Sequence, residues 1–379
     1  PVDPALSFWT SHLATFPVQT DIQRGNLVMI ASASLRFGMV GAGGIAQAYA
    51  QAFRDTNIAN LVAVADVRTE SAEAIAQSLG ANSYATHDEM VDAENLDAVV
   101  VCTPPVTHRN ICADLANRGL HVLCEKPLAI DSKSAREMYE AAAQNNVKLT
   151  MATKFRYAAD VIRAKAIVSS GILGDVILFE NCFTGHVDMS QRWNSNPAVS
   201  GGGVLIDNGT HSVDLIRYFL GPVAEVQVVE GRRIQQLDVE DTVRMFVRTH
   251  DGVMGSIDLS WSMNKEQPYY LSIYGSQGTV LVGWKESKYR RSNDTDWVSF
   301  GEGYNKFQAF RGQIENFTRA IRGEDKLLVT PDDALASVEV IETAYDSLHK
   351  SVWQPVKHTE WRASNVDAEN LVAAAGQVS

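Results

Sequence analysis

Short apolar runs alternate with amphipathic stretches over the first part of the chain. Residues 35–40, 61–66, 97–102, 121–125 and 147–152 read as strands. Helical stretches at 71–79, 107–118 and 134–144 lie between several of them. Apolar strands joined by such crossovers form a parallel sheet with helices on both faces. Residues 35–155 are therefore predicted to form a doubly wound α/β domain, with its ligand beyond the carboxyl ends of the strands. After about residue 155 the pattern changes. A helix at 158–169 is followed by strand signals at 176–183, 224–229, 241–249, 252–261, 269–274 and 278–282. Asp251-Gly252 and Gln277-Gly278 supply turn signals between some of them. Two amphipathic helices, 307–321 and 332–349, come near the end. Residues 156–355 are predicted to be an α+β domain with a mostly antiparallel sheet, and 356–379 a tail. One large face of that sheet needs a cover, which points to a homo-oligomer. Residues 1–34 lack a clear period and read as an arm or an upstream extension, with Met29 as the natural start.

The first strand runs into Gly41-Ala42-Gly43-Gly44-Ile45-Ala46, and the second ends on Asp66. This is the G-x-G-x-x-A fingerprint of a Rossmann domain in its required strand–turn–helix context. Gly41 allows the tight turn. Gly43 lets the backbone approach a pyrophosphate, with Gly44 and Ile45 completing the loop. Ala46 keeps the helix close to the sheet. The helix N-terminus offers free N–H groups to the phosphates. A carboxylate at Asp66 accepts hydrogen bonds from a ribose 2′-OH and repels a 2′-phosphate, so NAD is the expected cofactor. Arg68, two residues on, leaves NADP possible.

Composition narrows the partners. At 379 residues the chain has room for two domains with full cores. A net charge of −12 argues against a nucleic-acid or anionic-membrane surface. No apolar run approaches the length of a membrane span. Cys102, Cys112, Cys124 and Cys182 lack C-x-x-C spacing, so buried free thiols and a reducing cytoplasm are expected. His and Cys show no metal-ligand spacing, and no metal is expected.

Three segments carry candidate chemistry. Thr103-Pro104-Pro105 and Glu125-Lys126-Pro127 follow strand ends, where a cofactor's reactive end meets a substrate. Lys126 there can donate to a substrate oxygen, against the plainer reading of a loop lysine; the proline after it restrains its backbone and permits a cis peptide. Gly201-Gly202-Gly203 precedes a helix on which Asp207 and His211 are four apart and share a face, with Asp214 three further on. A helix-stabilising ion pair is the alternative. Lys154-Phe155-Arg156-Tyr157 lies near the expected cleft, where solvated boundary charges are the alternative. The polar loop 184–194 offers His186, Asp188, Arg192, Trp193 and Asn194 to substrate hydroxyls, with a simple surface loop as the competing reading.

Over about residues 35–355 the chain resembles the glucose–fructose oxidoreductase/inositol dehydrogenase (Gfo/Idh/MocA) family. The resemblance rests on Gly41–Ala46, Glu125-Lys126-Pro127, the triple glycine with Asp207-x-x-x-His211, and the two-domain order. It implies an open-faced second sheet, dimers or tetramers, and a catalytic set of Lys126, Asp207 and His211. It also implies that Thr103, Pro104, His108, Glu125 and Lys126 line the nicotinamide side and that Arg156 reaches the cofactor or substrate. Lys126, Arg156, His186, Trp193, Asp207, Asn208 and His211 are then the expected substrate contacts. The implied activity is NAD(P)-dependent oxidation of a ring hydroxyl on a sugar or cyclic polyol, with His211 moving the proton. A nucleotide-sugar ketoreductase, drawing on Arg192, Arg232 and Arg233, is one alternative. A non-catalytic dinucleotide-binding regulator is the other.

Overall fold

Residues 33–359 are described by the computed structural model, and the expectations for 1–32 and 360–379 lie outside them. The first apolar run forms β1 (Leu35–Val40), with its last four residues buried. It is followed by α1 (Gly44–Arg54), β2 (Ala59–Ala65), α2 (Thr69–Leu79), β3 (Asn82–Tyr84) and α3 (His87–Ala93). Next come β4 (Ala98–Val101), α4 (Pro105–Asn117), β5 (His121–Glu125), α5 (Ser132–Gln144) and β6 (Leu149–Ala152). The six strands pair in parallel in the order β3-β2-β1-β4-β5-β6. Strand order reverses between β1 and β4, which opens the ligand crevice at their carboxyl ends.

A short 3-10 turn (Lys154–Tyr157) leads into α6 (Ala159–Ser169) and β7 (Val176–Thr184). Then come α7 (Pro197–Ser200), α8 (Val204–Leu220), β8 (Val223–Glu230), β9 (Thr242–Thr249) and β10 (Met254–Ser260). The chain continues through β11 (Tyr269–Gly275), β12 (Gly278–Gly283), β13 (Ser287–Arg291) and β14 (Val298–Gly301). It closes with α9 (Lys306–Ile321), α10 (Pro331–Lys350) and β15 (Gln354–Pro355). The second sheet has nine strands in the order β14-β13-β12-β11-β7-β10-β9-β8-β15. Only β7 and β10 pair in parallel, so the sheet is mixed and mostly antiparallel. Helix α8 packs its apolar side on this sheet through Leu205, Val213 and Ile216. Ile177, Val229 and Met254 stand exposed on β7, β8 and β10.

The two terminal helices return to the first sheet. Phe310, Ile314 and Phe317 of α9 join the core formed by β1, α1 and α2. Ala334, Leu335 and Val338 of α10 join the core under α4 and α5, while its Val340, Ile341 and Ala344 join the core of the second sheet. A sequence boundary near 155 therefore marks a change of sheet and not a clean separation of cores. The sequence reading missed β3, α3, β13, β14 and β15. These are short and mostly polar, so they show no apolar alternation. No helix among the described residues is long and apolar enough to cross a membrane.

Gly41 follows β1 with φ +95°, and a Cβ there would lie 2.8 Å from the Cys102 carbonyl carbon after β4. Both sterics and φ exclude a side chain. Gly41→Ala is expected to destabilise by about 2 kcal/mol or more, read as a lower urea midpoint with an unchanged slope.

Candidate active site

Helix α8 is fixed before it presents any chemistry. Its first N–H groups need acceptors. The Glu240 carboxylate, buried between β8 and β9, supplies one: Oε1 accepts from Gly203 N and Leu205 N, each at 3.0 Å, and from the Tyr345 hydroxyl at 2.8 Å. Burial pushes the Glu240 pKa up, against these donors. The glycine run answers this packing. A Cβ on Gly202 would meet the Tyr345 hydroxyl and one on Gly203 the Glu240 backbone, while Gly201 alone has a positive φ, +83°. Close approach, more than backbone freedom, requires these glycines.

Asp207 lies in the first turn of α8 and His211 one turn later. Lys126, at the end of β5, reaches across from the first sheet. Its Nζ donates to Asp207 Oδ1 at 2.6 Å and to the Asp207 carbonyl at 3.0 Å. The Lys126–Pro127 peptide is cis. His211 is buried, and its Nδ1 is sealed from solvent with no hydrogen-bond partner among the described residues. It forms no ion pair with Asp207 or Asp214, so the helix-stabilising alternative does not hold. Burial, then the charges of Lys126 and Lys154, hold its pKa well below the usual histidine value.

Glu125 is buried beneath the site. Its Oε1 accepts from the Tyr49 hydroxyl at 2.8 Å, and Gln313 Nε2 donates to that hydroxyl at 2.8 Å. Burial raises the Glu125 pKa, opposed by Lys154 and Lys126. An aromatic wall closes the same space. Phe155 meets the His211 ring edge-on at 5.0 Å and stacks on Phe183 at 4.8 Å, and Tyr270 packs on Trp284 at 4.6 Å. Sequence reasoning missed this wall, because its members come from distant strands and loops with no common spacing.

The dinucleotide cradle fits its expected ligand. Cβ atoms on Gly43 and Gly44 would meet nothing within 4 Å, so open space lies before the N-terminus of α1. That helix has no side-chain cap and no acid in its first turn, which leaves its N–H groups for an anion. Asp66 follows β2. Its carboxylate accepts from Ala42 N at 2.6 Å and Arg68 N at 2.8 Å, which ties it to the glycine turn with lone pairs to spare.

Residues 35–153 match the model of an oxidoreductase family with an NAD-binding Rossmann fold, GFO_IDH_MocA, and residues 161–281 match the GFO/IDH/MocA C-terminal domain. The chain belongs to the Gfo/Idh/MocA family. It is 27% identical over 326 residues to the rhizopine catabolism protein MocA of Rhizobium meliloti, covering 84% of this chain and 96% of that one. It is 28% identical over 335 residues to the inositol 2-dehydrogenase of Rhizobium meliloti strain 1021, covering 83% and 97%. The structure of GenD2 from gentamicin A biosynthesis, in complex with NAD, superposes with a TM-score of 0.76 at 26% identity, over 89% of this chain and 99% of that one.

Within this Gfo/Idh/MocA architecture, several expected contacts fall elsewhere. Arg156 is buried in an ion pair with Asp214 at 2.8 Å and another with Asp333 at 3.1 Å, and it also donates to the Leu328 carbonyl. Its guanidinium joins helices and is not offered to cofactor or substrate. His108 is also buried: its Nε2 faces the Thr103 carbonyl at 2.8 Å and its Nδ1 the Pro127 and Leu128 carbonyls. It ties the β4 and β5 loops together from below, leaving Thr103 and Pro104 at the crevice. Asn208 donates to the Phe183 carbonyl at 3.4 Å. His186 and Trp193 are exposed and, among the described residues, make no hydrogen bond, ion pair or ring contact with Lys126, Asp207 or His211. Arg233 is paired with Glu230. A partly buried cluster of His87, Asp88 and Asp114 has ligand atoms within 4.8 Å of one another, but Arg118 already pairs with both aspartates.

Asp66→Ser is expected to raise the ratio of NADPH to NADH affinity by about tenfold or more, by removing a carboxylate from the 2′ position. Fluorescence titration with both cofactors checks it; an unchanged ratio would remove Asp66 from the cofactor site.

Proposed function

We propose that this protein is an NAD-dependent dehydrogenase acting on a ring hydroxyl of a sugar or cyclic polyol. The observation that carries the reading is the Lys126–Asp207 pair beside the unpartnered His211, at the carboxyl edge of a sheet with a dinucleotide cradle. The relatives acting in inositol oxidation and rhizopine catabolism support a polyhydroxylated ring as substrate.

Gly41, Gly43, Gly44, Ile45 and Asp66 would hold the dinucleotide, with Thr103, Pro104 and Glu125 toward its nicotinamide end. When bound, the nicotinamide ring accepts or returns a hydride. The chain's own residues handle position and proton. An ammonium has three donors, and Asp207 takes two from Lys126, which leaves one for the reacting oxygen. That N–H stabilises alkoxide character as it develops. Asp207 fixes the direction of the lysine. His211 stays neutral near pH 7 and accepts the hydroxyl proton during oxidation, then gives it back during reduction. The aromatic wall excludes water and offers a flat surface to the C–H face of a ring. The exposed side of the second sheet is the surface through which dimers or tetramers would form.

His211→Ala is expected to lower kcat by roughly 10²–10⁴-fold while NADH binding, followed by fluorescence, survives. A matching loss of NADH affinity would make His211 a structural residue. The pH profile gives a second check. Oxidation needs neutral imidazole, and a depressed pKa preserves that form as pH falls. The acid limb of kcat/KM should therefore lie below about 6.5, the ordinary histidine value. A limb at or above that value would contradict this environment for His211.

A further inference from the structure

Among the described residues, Lys154 is a charged group beside the Lys126–Asp207 pair with no hydrogen-bond or ion-pair partner of its own. It opens the 3-10 turn after β6 and is half-buried. Its ammonium lies 5.5 Å from the Phe155 ring centre and 5.8 Å from that of Phe310. No hydrogen bond or ion pair meets it among the described residues. The charged groups facing it are Lys126, Glu125, Lys306 and Asp207, from β5, α9 and α8. The two carboxylates are already engaged: Asp207 by Lys126 at 2.6 Å, and Glu125 by the Tyr49 hydroxyl at 2.8 Å and by Lys126 N at 3.1 Å. Lys306, at the start of α9, stands over the same Phe310 ring at 6.0 Å. A small region of positive charge thus sits in the cleft of a chain with net charge −12.

The Lys154 ammonium keeps some exposure, and among the described residues none of its three donors is taken up, so all three are available to a ligand's acceptors. Phe155 fixes where that ligand lies. The same ring neighbours the Lys154 ammonium and His211, and the Lys154 charge acts on His211 and on the Lys126–Asp207 pair, which puts it within reach of the reacting groups. The phosphate cradle is a separate feature, at Gly43 and Gly44 before α1. We propose that Lys154 is a second cationic substrate contact, selecting a ring that bears a carboxylate near the reacting hydroxyl. The inference rests on the dehydrogenase reading for the substrate's ring and adds its charge. Burial and the neighbouring Lys126 lower the Lys154 pKa to about 8, so the ammonium form prevails at pH 7 and fades above pH 8.

The test pairs hexoses with the hexuronates of the same configuration, across several configurations. Calorimetry on the NADH-loaded enzyme reads binding, and initial rates with NAD read turnover. For at least one configuration the wild type should bind the hexuronate about tenfold or more tightly than the hexose at pH 7, and this preference should shrink above pH 8. Lys154→Met should lose most of the preference, chiefly in KM, and Lys154→Arg should retain it. NADH affinity should stay within about threefold in both variants. Equal or tighter binding of the hexose in every pair overturns the inference. So does a preference that survives Lys154→Met, or a selective fall in NADH affinity, which would assign Lys154 to the dinucleotide phosphates. Turnover confined to neutral rings sinks this inference alone. A Lys154-dependent binding preference without turnover of any pair supports it and sinks the dehydrogenase reading instead.

Discussion

The placement of α8 depends on one guanidinium. Arg156 lies just past β6, the last strand of the first sheet, and holds Asp214 in the middle of α8 and Asp333 in the first turn of α10. Its ring neighbour Tyr218, also on α8, lies 5.0 Å from the guanidinium carbon. Three segments from different parts of the fold therefore meet at one buried charge. Such a cluster contributes little net stability, because desolvation offsets most of the attraction, but loss of one member strands the others at a cost of about 3–5 kcal/mol. Its effect is to exclude other positions of α8. Glu240 does the same at the helix start. With both ends of its first three turns fixed, α8 brings Asp207 to Lys126 and His211 to the aromatic wall.

That fixation sets the electrostatics of the site. Asp207 comes from helix α8 and Lys126 from the end of a strand in the first sheet, and neither would find its partner if α8 shifted by one turn, about 5 Å. Their pairing leaves His211 next to a cation with no compensating carboxylate of its own. The histidine's low basicity comes first from burial and then from that cation, so the geometry that aligns the lysine adds to it. A carboxylate bonded to His211 would raise its pKa. The chain places Asp207 one turn away on the same helix and spends it on Lys126 instead.

Much of this was legible from residue order. The glycine turn, the acid after β2, the Glu-Lys-Pro segment and the Asp207–His211 spacing are local patterns, and each depends on only a few neighbours. Periodicity located the long elements for the same reason. What local pattern does not carry is the destination of a charged side chain. Arg156 and His108 were expected at the ligand from the family resemblance, which carries a position over without the partners its side chain finds in this chain. In the fold Arg156 is consumed by Asp214 and Asp333, and the His108 ring by main-chain carbonyls. Lys154 went the other way: two residues before Arg156, it remains unpaired and faces the cleft. The difference lies in α10, whose Asp333 is far along the chain and has no sequence signal linking it to residue 156. The aromatic wall was invisible on similar grounds, since Trp284 and Tyr270 gain meaning only once β11 and β12 are paired beside β7.

The unpaired lysine and the weak base are coupled. Burial is the largest cause of the depressed His211 pKa, followed by the charges of Lys126 and Lys154. Lys126 keeps Asp207 as a counterion throughout, so its influence is already partly screened. Lys154 has no such counterion, and its field at His211 is open to change by a ligand. An anionic substituent paired with Lys154 cancels part of that field and lets His211 hold a proton more readily. Basicity would then rise on binding, when the hydroxyl proton has to move, and fall again on release. A neutral ring filling the same space would add desolvation without that compensation and would meet a poorer base. Selectivity for charge and competence for proton transfer follow from one arrangement, in which a cation without an ion-pair partner among the described residues stands near the proton acceptor and the substrate completes the pair.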